Sequence, residues 1–181
     1  MPAAARKASR PFTMVRRSLW GSERFVSLPD DPARYLYLYL LTCPHQTSSG
    51  CFVLKEAYAL ADLDMAGADW AAAKYRKAKT ALVTSGLIMA DDATGEILIT
   101  RWWKDNSPNN ESWFGGARKQ CEAISSSDLR TAAMEALEAC WADFNAGRSQ
   151  AAATALGHRV SPGVPVDEKL RALGNRIGVR A

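Results

Sequence analysis

The pattern of apolar and polar positions predicts a buried helix, a short strand and a second helix early in the chain. The buried helix starts at Asp31 and Pro32, where the aspartate caps and the proline fits the first turn, and it runs to Cys43. Because this helix is apolar nearly all round, we expect it at the centre of the core. Residues 51–54 are apolar and partly β-branched, which predicts a strand, and residues 55–63 predict the second helix.

A third helix is predicted over residues 69–85, where Gly86 supplies a common helix end. At 100° per residue, the two sides of this helix differ in character. The apolar side is formed by Ala71, Tyr75, Ala78 and Leu82. The opposite side carries small, basic and hydroxyl residues, with two lysines on its flanks: Ala73, Arg76, Lys77, Thr80 and Thr84, flanked by Lys74 and Lys79. We therefore expect one side to pack on the core and the other to expose cations.

Two apolar runs, 87–89 and 97–100, flank the polar, glycine-containing tip 91–96, and this pattern predicts a β-hairpin. Helix, strand, helix, helix and hairpin, in this order, are typical of a winged helix-turn-helix. The predicted fold is therefore mainly α with a small β-hairpin wing, followed by a helical C-terminal extension.

The sequence after residue 100 predicts the helical C-terminal extension. Residues 101–110 are rich in Asn, Ser and Pro and indicate a loop, residues 111–124 predict a helix, and residues 129–145 predict an amphipathic helix that Gly147 ends. The predicted organisation is a flexible basic arm (1–11), a winged-helix domain (12–104), a helical extension (105–145), and a linker and basic tail with a short helix (146–181).

Composition is that of a soluble globular protein: 181 residues, 48% hydrophobic and 23% charged. No apolar run approaches the ~18–20 residues of a membrane span, and the N-terminus lacks the apolar middle of a secretory signal. We therefore expect a cytoplasmic protein with no membrane partner. The four cysteines form no CxxC pair, so in a reducing compartment we expect thiols.

Charge is unevenly distributed around a formal net value of +4. Residues 1–20 contain basic side chains and no acidic one, and bases outnumber acids over 146–181. Basic ends indicate a nucleic-acid ligand, because Lys and Arg at phosphates release condensed counterions. A soluble domain with ordinary polar tails is the alternative, since binding requires the bases to lie on one surface.

Few residues offer catalytic or metal chemistry. Cys43, His45 and Cys51 supply three zinc-ligand types, but no fourth ligand is evident, so an ordinary cysteine-containing turn is the stronger interpretation. The sequence contains no phosphate-binding loop, metal-ligand cluster or acid–base pair that we recognise. We therefore expect a protein that is not an enzyme and that uses no cofactor and no metal.

The cationic face of the third helix carries the functional prediction. In a helix-turn-helix, this helix enters the major groove of double-stranded DNA, where Lys and Arg contact guanine or phosphate and Thr contacts either. We predict groove contacts from Arg76, Lys77 and Thr80. Phosphate contacts are predicted from Lys74, Arg16, Arg17, Arg101 and Lys104. A solvated helix face is the alternative, and we expect the acidic hairpin tip to point away from DNA or to face a protein.

Adjacent aromatic residues indicate a protein interface. In the pairs Trp102–Trp103 and Trp113–Phe114, we expect one ring of each pair to face outward, and exposed tryptophans often mark protein contacts. Stacking of single-stranded bases is the weaker alternative, because no sheet platform is evident. Six other aromatic residues are predicted to be core: Trp20, Phe25, Tyr35, Tyr37, Tyr39 and Phe52.

Four segments together resemble a known family. They are the aromatic segment followed by Leu28–Pro29, the aromatic-rich first helix, the helix exit from Ser85 to Ile88, and the Trp-aromatic-Lys, Asn, Pro-Asn pattern from Trp102 to Asn109. Residues 12–125 thus resemble the N-terminal winged-helix domain of phage and prophage replication-initiation proteins, the replisome organisers akin to DnaD-like primosomal proteins. The resemblance implies DNA binding at an origin and recruitment of a helicase loader or helicase.

Two alternatives stay open beside replication initiation. A phage-type transcriptional regulator uses the same helix in the same groove, and a protein-interaction module binds a host protein through the acidic hairpin and exposed tryptophans. The helix 129–145 either docks on its own domain or pairs with a second copy, and a homodimer favours a palindromic site. For a DNA-binding protein we expect a cytoplasmic, nucleoid-associated location.

Overall fold

The structure, a computed structural model, describes residues 13–67 and 69–159. Within these ranges the protein is mainly helical and carries a small three-stranded antiparallel sheet. In chain order the elements are a 3₁₀ helix Arg17–Gly21, α1 Glu23–Val26, α2 Asp31–Thr42, β1 Cys51–Val53, α3 Glu56–Met65, α4 Ala72–Thr84, β2 Ile88–Asp91, β3 Glu96–Ile99, α5 Trp102–Asp105, α6 Glu111–Glu122 and α7 Ser127–Arg159. The predicted arm (1–11) and the end of the predicted tail, including its short helix, lie outside the described residues.

The central helix α2 forms where it is predicted, with its cap one residue earlier. Asp30, rather than Asp31, caps it, because the Asp30 carboxylate accepts a hydrogen bond from the backbone N–H of Ala33 at 3.1 Å. Ala33, Leu36 and Leu40 are completely buried. The helix therefore lies at the centre of the core, as its apolar composition predicts.

The segment before α2 is helical, with the 3₁₀ helix Arg17–Gly21 followed by α1. Phe25 of α1 is buried, but the side chain of Trp20 is 66% exposed and meets the Phe25 ring only edge-on, 5.5 Å between centroids. Tyr35 is also exposed and lies 6.2 Å from the Trp70 ring. The predictions of a core Trp20 and a core Tyr35 are therefore wrong, because both rings cover the edge of the core.

The predicted hairpin forms and joins β1 in a sheet of order β1-β3-β2. Cys51 of β1 pairs with Leu98 of β3, and Ile88 of β2 pairs with Ile99. Glycine at 95 takes a left-handed φ of 71° at the hairpin turn. Because β3 is buried along its whole length, the sheet completes the core beneath the helices.

Helix α4 starts at Ala72, three residues later than predicted. Tyr75, Ala78 and Leu82 are buried, as the 100° periodicity predicts, and they pack this helix onto the core. Ala71 is exposed and extended at the helix N-cap, so its assignment to the buried side is wrong. The buried side therefore spans the three residues that lie inside the helix.

The C-terminal part contains more helix than predicted. The predicted loop 101–110 contains α5, and α6 forms where it is predicted, capped by Asn110. Helix α7 continues through Gly147, so the predicted helix end there is wrong. A single glycine costs only about 1 kcal/mol relative to alanine inside a helix, and the flanking residues are rich in alanine, a strong helix former.

By compactness the chain divides into two units, one through Trp141 and one from Ala142 onward. The first holds the sheet and all helices through α6. Among the described residues, no helix has the length and apolar character that crossing a membrane requires.

Candidate nucleic-acid interface

The outer side of α4 is solvent-exposed, as the sequence predicts. Arg76, Lys77 and Thr80 are all exposed, and so are Ala73 and Thr84. These five positions lie opposite the buried residues of the helix, so the local 3.6-residue period places them outward. The face combines two long cations with small and hydroxyl side chains, a composition that fits close approach to a charged groove.

Two cations at the centre of this face are held by carboxylates of the same chain. Arg76 donates two hydrogen bonds to Glu56 of α3, Nε to Oε2 and Nη2 to Oε1, both at 2.8 Å. Lys77 Nζ lies 2.9 Å from Oδ2 of Asp30, the cap of α2. The cations are therefore exposed to solvent, but in this arrangement their charges are balanced.

The two lysines that flank the face also have partners. Lys79 Nζ lies 2.6 Å from Asp92 Oδ1 at the hairpin tip. Lys74 donates to the backbone oxygen of Asp69 at 2.6 Å and its ammonium lies 5.4 Å from the Trp70 ring centroid. Sequence reasoning found these lysines but not their partners, because charge pairing depends on which acids the fold brings close.

The pairing keeps the partner carboxylates ionised. The hydrogen bond from Lys77, followed by the backbone N–H of Ala33, holds the pKa of Asp30 below its usual value. The hydrogen bond from Arg76 lowers the pKa of Glu56, and Glu56 in turn raises the pKa of Arg76. At neutral pH, an approaching phosphate must therefore compete with these charged carboxylates for the cations.

The acids of the hairpin tip are used inside the protein. Asp92 pairs with Lys79, and Asp91 accepts hydrogen bonds from the backbone N–H groups of Ala93 and Thr94. Glu96 accepts hydrogen bonds from the backbone N–H groups of Ser125 and Ser126, just before α7. The tip's three acids are thus engaged within the chain.

The other predicted phosphate contacts come from the N-terminal segment and from the residues after β3. Arg16, Arg101 and Lys104 line one cavity of about 330 Å³, which Arg17 does not. Arg24, which sequence reasoning missed, also lines this cavity. Arg24 stands alone next to the buried Phe25, so no pattern in the sequence marks it as a residue of this cavity. Apart from Arg17, the predicted contacts therefore divide into the α4 face and this cavity, which share no residue.

The expectation that one ring of each aromatic pair faces outward holds for one pair only. Trp102 and Trp103 are 6% and 3% exposed, so placing either at an exposed protein interface is wrong. They are buried because α5 turns both inward, and the Trp102 indole donates to the Ser48 carbonyl at 2.9 Å. Trp113 is exposed, whereas Phe114 is partly buried and stacks on Trp141, 4.8 Å between centroids.

The residues considered for zinc have other contacts. His45 Nε2 lies 3.2 Å from Asp62 Oδ2, and its ring stacks on Tyr58. Burial raises the pKa of the Cys43 thiol and raises that of the Cys51 thiol to about 12, so both thiols stay protonated at neutral pH. In the part of the chain that the structure describes, no three metal-ligating side chains are grouped to hold an ion.

Comparisons of the chain with protein-family models, with curated proteins and with solved structures find no match.

Proposed function

We propose that the chain binds double-stranded DNA with a sequence preference, with α4 in the major groove. The observation that carries the proposal is the division of α4 into a buried apolar side and an exposed face that holds Arg76, Lys77 and Thr80. The order of α2, β1, α3, α4 and the β2–β3 hairpin also fits a winged helix-turn-helix, in which this helix reads base edges.

The role we propose is in replication initiation of phage or prophage type, with a helicase loader or helicase as a further partner. This role rests on the resemblance of residues 12–125 to replication-initiation proteins. A transcriptional regulator would use the same face of α4. A map of the sites occupied in cells distinguishes them, because an initiator occupies an origin and a regulator occupies promoters.

We expect Arg76 and Lys77 to exchange their carboxylate partners for DNA phosphates when the α4 face binds a duplex. Exposed ion pairs contribute little to stability, so their cations can move from carboxylate to phosphate at small cost. Phosphate contacts release counterions, and the logarithm of the binding constant then falls by about 0.9 per phosphate with the logarithm of salt concentration. Binding of a host protein without DNA would instead give no duplex affinity, and that result would contradict the proposal.

Lys77→Ala is expected to weaken binding to a duplex selected from a random library. If Lys77 reads a guanine, the loss is about 1–3 kcal/mol on the selected duplex and is smaller on a scrambled duplex, so sequence preference relaxes. If it holds only phosphate, both duplexes lose affinity equally and the salt slope falls by about 0.9. Fluorescence anisotropy on the two duplexes across a salt series measures both quantities.

Lys119→Ala on α6 is the matched control, because it removes an exposed lysine that lies outside the α4 face. Both variants should retain the unfolding free energy of the parent chain, since the Lys77–Asp30 pair is exposed. Equal affinities for Lys77→Ala, Lys119→Ala and the parent would remove α4 from the interface.

Glu56→Gln is expected to tighten duplex binding. The carboxylate no longer competes for the Arg76 guanidinium, and the loss of one exposed pair permits a gain of up to about fivefold. The measurement is duplex affinity at low salt, with Glu111→Gln on α6 as the control for a general change in net charge. Equal gains in both variants would mean that net charge, rather than release of Arg76, controls affinity.

A further inference from the structure

The cavity beside the N-terminal segment is separate from the α4 face. Its walls come mainly from residues 14–24, from α2 and from the chain between Ile99 and Asn106, and no residue of α4 lines it. Its volume of about 330 Å³ lies within the range of small-molecule pockets, roughly 300–1,000 Å³. The cavity therefore has the size of a ligand site and is independent of the DNA face proposed above.

Cations predominate in the lining. The charged side chains of the lining are Arg16, Arg24, Arg101 and Lys104 on one hand, and Glu23 and Asp105 on the other. Arg16 forms an ion pair with Asp105, and Arg24 donates to the Gly86 carbonyl at 2.6 Å. Within the described ranges, the side chains of Arg101 and Lys104 form neither an ion pair nor a hydrogen bond. Two positive charges at the cavity thus remain for an anion.

A tyrosine hydroxyl group lies at the same cavity. Tyr37 of α2 is 6% exposed and lines the cavity, and its hydroxyl has no hydrogen-bond partner among the residues that the structure describes. Burial raises the pKa of Tyr37 to about 12, and the nearby charges of Arg24, Asp105 and Arg101 also act on it. The hydroxyl oxygen keeps some solvent contact, so it is a protonated donor that a ligand in the cavity can reach.

The backbone at Arg101 is held in an unusual conformation. Its φ of 59° lies in the left-handed region, which a residue with a β-carbon seldom adopts. Non-glycine residues held there concentrate at ligand sites, where the surrounding structure fixes the conformation. The turn places Arg101 between β3 and α5, at the cavity, and leaves its side chain exposed.

We propose that this cavity binds the phosphate group of an organic phosphate. Arg101 and Lys104 contact the oxyanion, and the Tyr37 hydroxyl donates to one of its oxygens. The apolar part of the lining, which includes Leu19, Leu41 and Trp102, packs against the organic body of the ligand. The phosphate belongs either to a free nucleotide or to a nucleic-acid strand, and the chemistry of recognition is the same for both.

The test is isothermal titration calorimetry of the full chain with thymidine 5′-monophosphate. Thymidine, which lacks the phosphate, is the control ligand. Arg101→Gln should weaken nucleotide binding about tenfold or more, because it removes a charge-assisted hydrogen bond. Lys55→Gln, an exposed lysine outside the cavity lining, is the matched control and should bind as the parent does. Thymidine should bind far more weakly than its phosphate.

Tyr37→Phe separates a binding role of the hydroxyl from a structural one. Because this hydroxyl has no hydrogen-bond partner among the described residues, its removal should leave the unfolding free energy nearly unchanged, while nucleotide affinity falls several-fold. A fall in stability without any change in affinity would assign the hydroxyl to the fold and overturn its place in the site.

The same variants distinguish the two sources of phosphate. If the nucleotide does not bind, but Arg101→Gln weakens duplex binding and lowers the salt slope by about 0.9 while Lys55→Gln does neither, the phosphate is that of a strand. Nucleotide binding that depends on Arg101, with no change in duplex affinity, assigns a free nucleotide. If Arg101→Gln alters neither ligand's affinity, the proposal is overturned, whatever Lys77→Ala does to duplex binding.

Discussion

Gly50→Ala should lower the free energy of unfolding by about 2–5 kcal/mol, which is a large part of the stability of a small domain. Gly50 has a φ of 73°, a left-handed conformation that costs alanine roughly 1–2 kcal/mol. An added β-carbon would lie 2.7 Å from Cβ of Trp102 and closer still to its Cγ, which adds the typical overpacking cost of about 1–3 kcal/mol. Trp102 has little freedom to move, because it is buried and its indole is hydrogen-bonded to Ser48.

Gly67→Ala is the matched control for the backbone conformation. Its φ of 74° is almost the same, but no atom of the described residues beyond its chain neighbours lies within 4 Å of the position of an added β-carbon. Urea unfolding of both variants therefore separates the conformational cost from the steric cost, since only Gly50→Ala carries the second. Equal losses in the two variants would mean that the Trp102 ring does not fill the space in front of Gly50.

The parts of the fold that sequence predicts are those set by local periodicity. Tyr75, Ala78 and Leu82 recur at helical spacing, so the buried side of α4 follows from the chain itself. The hairpin is equally local, because two apolar runs flank a polar turn. The exposure of Arg76 and Lys77 follows from the same period, and this much of the candidate site was predictable.

Contacts between distant segments are what local patterns leave undetermined. Trp102 is buried because the chain around Ser48 and Gly50 covers it. The local sequence pattern around Trp102 does not predict this contact. Likewise, Arg76 meets Glu56 only because α3 and α4 pack together. The exposed face of α4 was therefore predictable, but the balance of its charges was not, since that balance depends on tertiary structure.

Glu96→Gln should lower the free energy of unfolding by about 2–4 kcal/mol at pH 7. Glu96 is 5% exposed, and the two oxygens of its carboxylate accept hydrogen bonds from the backbone N–H groups of Ser125 and Ser126 at 2.9 and 2.8 Å. These residues directly precede α7, so the carboxylate also lies at the positive end of a helix dipole. A glutamine side chain offers one acceptor oxygen, and its amide nitrogen would face the second N–H as donor against donor.

The loss of unfolding free energy in Glu96→Gln should become smaller as the pH falls. Burial raises the pKa of Glu96, but the hydrogen bonds from Ser125, Ser126 and Thr94 together lower it by more than burial raises it. The pKa of Glu96 therefore lies below the ordinary value of 4.5. A carboxylate whose pKa is lowered on folding contributes its full stabilisation above that ordinary value and loses it as the pH falls through the lower, folded value. Urea unfolding of the parent chain and Glu96→Gln should therefore differ most near pH 7 and converge in acid. The control Glu111→Gln, an exposed acid in the first turn of α6, should lose at most about 1 kcal/mol at pH 7. A difference that stays constant from pH 7 into the acid range would show that the negative charge of Glu96 does not hold the start of α7.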